Sequence, residues 1–390
     1  MTAAATLKVS LARPRARARA PLALHAAGAG VILGMHDPLA GGSLTPAAHT
    51  LFGPRGAAVG ADGALWVADT GHHRLLGWPA LPEHDAQPAG WLIGQTDFAR
   101  EGRNAQGEPS AASLNVPTGV CACGEGLAVA DAWNHRVLVW HRAPRRSHCP
   151  ADVVLGQADF GSAEANRGRD RAAVDTLNWP YGVFWDGARL WVADTGNRRV
   201  LRFDGLPQRP GQAADLVLGQ PDFEQRDENA GGVTQATMRW PHAVAVWQGH
   251  LCVADAGNNR LLLWAQDPTR PMQRADLIVG QDEIDALDHN RGEYWPSARS
   301  LNMPYGLAVH DDRLFVADTA NSRVLRFDSP LMREAQAVAG QTSFADKGDN
   351  RWQAAARDSL CWPYALAMHG DTAIVVDSGN NRVLLWEVAR

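Results

Sequence analysis

The sequence predicts an all-β protein: a six-bladed β-propeller of four-stranded antiparallel blades, its ring closed by an N-terminal strand. Three observations predict it. A phrase close to "LWVADTGNRRVLRF" (Leu190 to Phe203) occurs six times. Its copies follow one another at steps of 62, 63, 61, 63 and 59 residues. Each copy reads as four short β-branched and aromatic runs bounded by turn residues, with no helical period. A four-strand unit repeated around a chain of this length is the signature of radial repetition.

The elements of one copy follow in order. The first strand starts at a proline, as in "PYGVFW" from Pro180, "PHAVAVW" from Pro241, "PYGLAVH" from Pro304 and "PYALAMH" from Pro363. Its Gly and Ala suit a crowded axis. The second strand ends in an aspartate: Asp69, Asp131, Asp194, Asp255, Asp318 and Asp377. A tight turn follows, and the third strand opens on an arginine: Arg74, Arg136, Arg199, Arg260, Arg323 and Arg382. Across such a hairpin the two side chains can meet, and the carboxylate can accept from turn amides. Gly71, Gly196, Gly257 and Gly379 are expected to supply a positive φ, which Asn134, Asn197, Asn258, Asn321 and Asn380 also tolerate. Six copies argue that these Asp and Arg residues are structural, since an active site sits once on an axis. The fourth strand is the "DLVLGQ" type.

The ends complement one another. The last copy stops after its third strand, and a lone fourth strand, "GVILGMHDP", precedes the first copy at residues 30–38. Pairing the two removes two exposed sheet edges. The domain reading is therefore one propeller over 30–390, preceded by a basic, disordered tail over 1–29. After each "GQ" comes a periodic insert. It carries an apolar anchor (Phe98, Phe160, Phe223, Ile284, Phe344) and then an asparagine (Asn104, Asn166, Asn229, Asn290, Asn350), which reads as an ordered loop.

Composition narrows the function classes. The 390 residues carry a formal net charge of −5, and the first thirty contain Lys8, Arg13, Arg15, Arg17 and Arg19 with no acidic residue. The remainder is thus more acidic than the total, which disfavours nucleic-acid binding by net charge. No apolar run is long enough for a membrane helix. Five cysteines in no metal or disulfide spacing favour a reducing compartment, hence a cytoplasmic protein. The Arg-rich start leaves organellar import as the alternative.

The "VADTGNNRV"-like phrase resembles that of the NHL-repeat β-propellers, over about residues 31–390. The resemblance implies the fold and says little about function. The copies here are longer than is usual in that family, and the zinc-binding modules of its tripartite-motif members are missing, so ubiquitin-ligase activity does not carry over.

Strand alternation puts the inserts, the Asp–Arg turns and the starts of the inner strands on one face. There the residues after each proline, Arg55, Thr118, Tyr181, His242, Tyr305 and Tyr364, form an axial mouth with Trp179, Trp240 and Trp362 before it. Tyr and Trp suit a binding surface. The expected function is non-catalytic: a monomeric scaffold that engages a protein or peptide through the insert face and the mouth, with a small molecule as second choice. No catalytic residue, metal ligand or cofactor site is assigned. His242 is the single histidine of the ring; His72, His73 and His135 read as surface histidines of outer turns. The alternatives are a metal-dependent lyase or hydrolase with an axial site, implied by related propellers, and single-stranded RNA binding.

Overall fold

A computed structural model describes residues 18–34 and 44–390. Most basic residues of the N-terminal tail (Lys8, Arg13, Arg15 and Arg17) lie outside the described residues. Among those described, the chain forms six four-stranded antiparallel sheets and no α-helix. Five sheets are built from consecutive strands, the first from Gly56–Val59, Leu65–Asp69, Arg74–Trp78 and Trp91–Ile93. The sixth takes Pro363–His369, Thr372–Asp377 and Arg382–Glu387 from the C-terminus and β1 (Val31–Gly34) from the N-terminus. β1 runs antiparallel to Arg382–Glu387, from Val31 opposite Leu385 to Gly34 opposite Arg382.

The core is a series of layers between blades. One layer joins Ala58, Trp66 and Leu75 of the first blade to Leu127, Val129 and Trp140 of the second. The layer that closes the ring joins Leu33, Val376 and Val383 to Leu65, Val67 and Trp78. Trp78, Trp140 and Trp264 end third strands fully buried, and each indole N–H donates to the carbonyl nine residues on: Gln87, Cys149 and Gln273, at 2.9, 3.1 and 3.0 Å.

Adjacent blades are also stitched at the axis. The hydroxyl after the strand-ending aspartate donates to the proline carbonyl of the next inner strand: Thr70 to Pro117 at 2.7 Å, Thr195 to Pro241 at 2.6 Å and Thr319 to Pro363 at 2.6 Å. Ser378 makes the same bond to Pro54. That stitch spans the seam between the last blade and the first.

The tail boundary at residue 29 falls inside packed chain. Ala23 and Leu24 are buried within the last inter-blade layer. Leu22 and Leu24 make bridges to Val338 and Val388, and the Trp386 indole donates to the His25 carbonyl at 2.8 Å. Residues 20–29 have no counterpart in the repeat, so periodicity did not count them as propeller. Their Ala and Leu nevertheless cover the edge where the fifth and sixth blades meet. We expect a chain beginning at residue 30 to be less stable than one beginning at 18 by about 2–4 kcal/mol, from lost Leu24 burial and hydrogen bonds. A chain beginning at 35 should melt lower still. Equal melting temperatures for the three would show that neither the strap nor β1 supports the ring.

Candidate functional site

The insert face is organised by the repeated Asp–Arg pair. In all six blades the Arg Nε donates to Asp Oδ2 at 2.7–2.9 Å, with both side chains at most 1% exposed. The other carboxylate oxygen accepts a backbone N–H two residues before the inner-strand proline, such as Asn178 to Asp194 at 2.8 Å and Asn302 to Asp318 at 2.6 Å. This differs from the expected turn-amide cap and ties the pair to the inner strand instead. In five blades Nη1 donates to the carbonyl of the insert's apolar anchor, Phe98, Phe160, Phe223, Ile284 or Phe344. Nη2 donates to two carbonyls in the preceding insert, as Arg199 does to Ala173 and Thr176. One guanidinium therefore fixes its blade and two inserts.

The asparagines act through side chains. Asn134, Asn197, Asn258, Asn321 and Asn380 donate to the same Asp Oδ2 at 2.7–2.8 Å. Each also pairs with the insert asparagine before it, such as Asn166 with Asn197 at 2.9 Å in both directions. The insert asparagines sit at φ of 49–51°, as a turn residue should. The turn glycines do not have positive φ. The turn is a 3-10 helix, and a Cβ at Gly71, Gly196 or Gly379 would stand 2.4–2.5 Å from Phe52, Asn178 or Cys361. Close approach is the reason for glycine here. The left-handed position belongs to the residue after the 3-10 turn, two beyond the glycine position: His73, His135, Arg198, Asn259, Ser322 and Asn381.

Two histidine expectations are corrected by this geometry. His72 is not a surface residue; it is fully buried and takes the asparagine's place, its Nδ1 2.8 Å from Asp69. His73 and His135 each use Nδ1 to accept the N–H of the residue before the next proline, Val116 at 3.1 Å and Trp179 at 2.9 Å. Asn259, Ser322 and Asn381 do the same for Met303, Trp362 and Gly53. All five recipients have φ of 49–55°, a strained region for a non-glycine residue. At the remaining junction Arg198 bonds Gly196 and Arg226 instead, and Trp240 has no positive φ.

The six residues after the prolines meet at the axis. His242 stacks on Tyr305 with ring centroids 4.1 Å apart and 3° between planes, and lies 4.2 Å from the Tyr181 ring. Tyr364 is 4.9 Å from Tyr305, and the Arg55 guanidinium lies 5.0 Å over the Tyr364 ring. Tyr181, His242 and Tyr305 are 4%, 5% and 9% exposed, so the rings plug the mouth rather than line an opening. Thr118 is fully buried, its hydroxyl donating to the Tyr181 carbonyl at 2.8 Å. Of the flanking tryptophans, Trp179 is exposed, while Trp240 and Trp362 are half-buried, Trp240 beneath the Arg239 guanidinium. Behind the plug lies a cavity of about 290 Å³ along the inner strands.

Burial pushes the His242 pKa down to about 4, opposed by the Trp240 carbonyl and assisted by the Arg55 charge. With Nδ1 donating to that carbonyl at 2.9 Å, the ring is neutral and Nε2 is its acceptor nitrogen. A metal ion here would have to displace or endure the nearby Arg55 cation, so the chemistry does not suit a cation. The one cluster with metal-ligand geometry among the described residues, His310, Asp311 and Asp371, lies at the other end of the inner strands.

Sheets arrayed about an axis with this stitching define the class: a six-bladed β-propeller. A family model described as NHL repeat matches residues 53–78, 114–140 and 238–262. NHL repeat-containing protein 2 of Bos taurus is 24% identical over 230 residues, 54% of this chain but 30% of that protein, so this chain spans under a third of its relative. A Bacteroides thetaiotaomicron structure of unknown function is 12% identical, with 88% of this chain and 71% of that one covered and a TM-score of 0.51. Virginiamycin B lyase from Staphylococcus aureus is 10% identical, with 88% and 98% covered and a TM-score of 0.45. The three NHL-repeat matches and the weak similarity to an NHL repeat-containing protein support an NHL-repeat β-propeller.

Two variants test the geometry. Asp194→Ala leaves Arg199 buried without its counter-charge and should destabilise by about 3–5 kcal/mol in denaturant titration. A loss under 1 kcal/mol would show the pair to be solvated. For His242 the folded pKa lies below the unfolded value near 6.5. Its neutral form therefore contributes stability that is present above that value and lost as pH falls toward 4. The wild type should lose about 3 kcal/mol more than His242→Phe between pH 7 and pH 4. Parallel stability curves for the two proteins would rule out a buried neutral imidazole.

Proposed function

We propose that the protein is a non-catalytic binding propeller that engages a protein or peptide through its insert face. The observation that carries this reading is the distribution of exposed large apolar side chains. Phe52, Trp133, Trp179, Ile284, Leu287, Tyr294 and Trp352 are all on that face, with Trp133 57% and Trp352 64% exposed. Val246, Leu331 and Met332 stand at the other end. Exposed aromatics gathered on one face, on backbone held by buried ion pairs, are rigid anchors of the kind that dominate protein interfaces. Trp133 and Trp179 flank one blade junction, joined through the His135 bond to the Trp179 N–H.

The mouth residues take a different part in this reading. Tyr181, His242 and Tyr305 support the centre of the face from beneath, and Trp179 reaches the partner. We further infer a reducing, cytoplasmic setting from the five cysteines, an odd number whose spacing fits no disulfide or metal set.

Trp133→Ala and Trp179→Ala should each weaken partner binding by about 2 kcal/mol while leaving the melting temperature nearly unchanged. Leu331→Ala with Met332→Ala, at the other end, should leave binding intact. The check is capture of proteins from the native extract, followed by titration of the purified partner. Unchanged affinity in both folded tryptophan variants, or loss in the Leu331/Met332 variant, would move the interface off the insert face.

A further inference from the structure

We propose that the axial channel binds a small organic monocarboxylate, its carboxylate on Arg55 and Tyr181 at the plugged end and its apolar body along the inner strands. This is separate from the partner site on the insert face, because the rings of Tyr181, His242 and Tyr305 stand between the two.

The polar end of the channel has donors and lacks an acceptor of matching charge. Every repeat arginine meets a carboxylate at 2.7–2.9 Å. Arg55 does not: the groups that act on its half-buried guanidinium are the phenols of Tyr181, Tyr364 and Tyr305. A desolvated cation without a counter-ion is costly, and an anion relieves that cost. The Tyr181 hydroxyl is the second, independent observation. Tyr181 is 4% exposed and lines the channel; its oxygen faces the Arg55 guanidinium, which can only donate, so the phenol O–H has no acceptor at hydrogen-bond geometry. A carboxylate has two oxygens and can accept from both.

The other side chains along the channel are mainly apolar. Ala57, Val120, Val183, Leu307, Leu366 and Met368 line it, with no ionised side chain besides Arg55. About 290 Å³ has room for roughly ten atom-sized groups at ~30 Å³ each. The lining is partly exposed toward the ends of the inner strands, at Val59, Val309 and Met368, so the ligand enters from the face opposite the inserts. A short apolar chain or a single ring ending in one carboxylate satisfies the shape and the charge together. Inorganic anions satisfy the charge alone, and alcohols the shape alone.

The test titrates the purified full chain with octanoate, octanol and inorganic phosphate by calorimetry. Octanoate should bind saturably at one site, at least tenfold tighter than octanol or phosphate. Arg55→Met should weaken octanoate at least tenfold and leave octanol unchanged, and Tyr181→Phe should weaken octanoate several-fold. Should Arg55→Met fail to fold, methyl-labelled wild-type protein supplies the second reading. The Met368 methyl resonance, assigned with Met368→Leu, should shift with octanoate and not with phosphate. Absence of saturable octanoate binding, equal affinity for octanol or for phosphate, or an unmoved Met368 signal would overturn the proposal.

Discussion

The structure depends on a charge pair that water does not reach. Each blade buries one aspartate and one arginine at the same end, and a buried ion must be matched almost completely or the fold loses several kcal/mol. The matching is what organises the surface. Arg199 has a carboxylate on Nε, the Phe223 carbonyl on Nη1, and the Ala173 and Thr176 carbonyls on Nη2. Those carbonyls belong to two different inserts. Loops of that length would ordinarily be mobile. Here the insert between Arg136 and Arg199 is held by both guanidiniums, at Phe160 and at Ala173 and Thr176, and again by an asparagine pair, so the inserts are extensions of the blades.

The same economy explains closure. A propeller needs its last blade to meet its first as any blade meets its neighbour. Ser378 to Pro54 and Asn381 to Gly53 repeat, across more than three hundred residues of chain, the bonds that Thr195 makes to Pro241 and His135 makes to Trp179. β1 completes the last sheet with backbone pairing, and residues 20–29 cover the layer beside it. The seam is therefore chemically like the other junctions.

Much of this was legible in the sequence because it repeats. Six copies in step made the blade count, the strand order, the Asp–Arg pairing and the lone N-terminal strand readable from spacing. What was not legible lies where a pattern identifies a residue but not its geometry. Glycine at 71 and 196 reads equally as a positive φ or as a close approach, and only the backbone decides between them. His72 looked like a surface histidine because its copies are asparagines; a ring nitrogen and an amide nitrogen reach the same carboxylate oxygen. Residues 20–29 have no copy, so periodicity was silent about them. The mouth residues were found by register, but their burial was not. Whether four rings around an axis line an opening or fill it depends on a few ångströms of blade separation.

That last point bears on where chemistry can reside. Positions that repeat are committed: their donors and acceptors are used up by neighbouring blades, and nothing is left over for a ligand. The position after the inner-strand proline is equivalent in all six blades yet holds Arg, Thr, Tyr, His, Tyr and Tyr. Thr118 is spent on the Tyr181 carbonyl, and His242 on the Trp240 carbonyl through Nδ1. Tyr305 turns its hydroxyl to the Met303 sulfur and Tyr364 lies under the Arg55 guanidinium, so the cation of Arg55 and the buried O–H of Tyr181 are the donors left without an acceptor, both lining one channel. An unbalanced cation is unfavourable inside a protein, and the buried arginines of the repeat show how thoroughly this chain otherwise balances its charges. The imbalance is thus confined to the one ring of positions where the six-fold pattern breaks, at the single place that all six blades share.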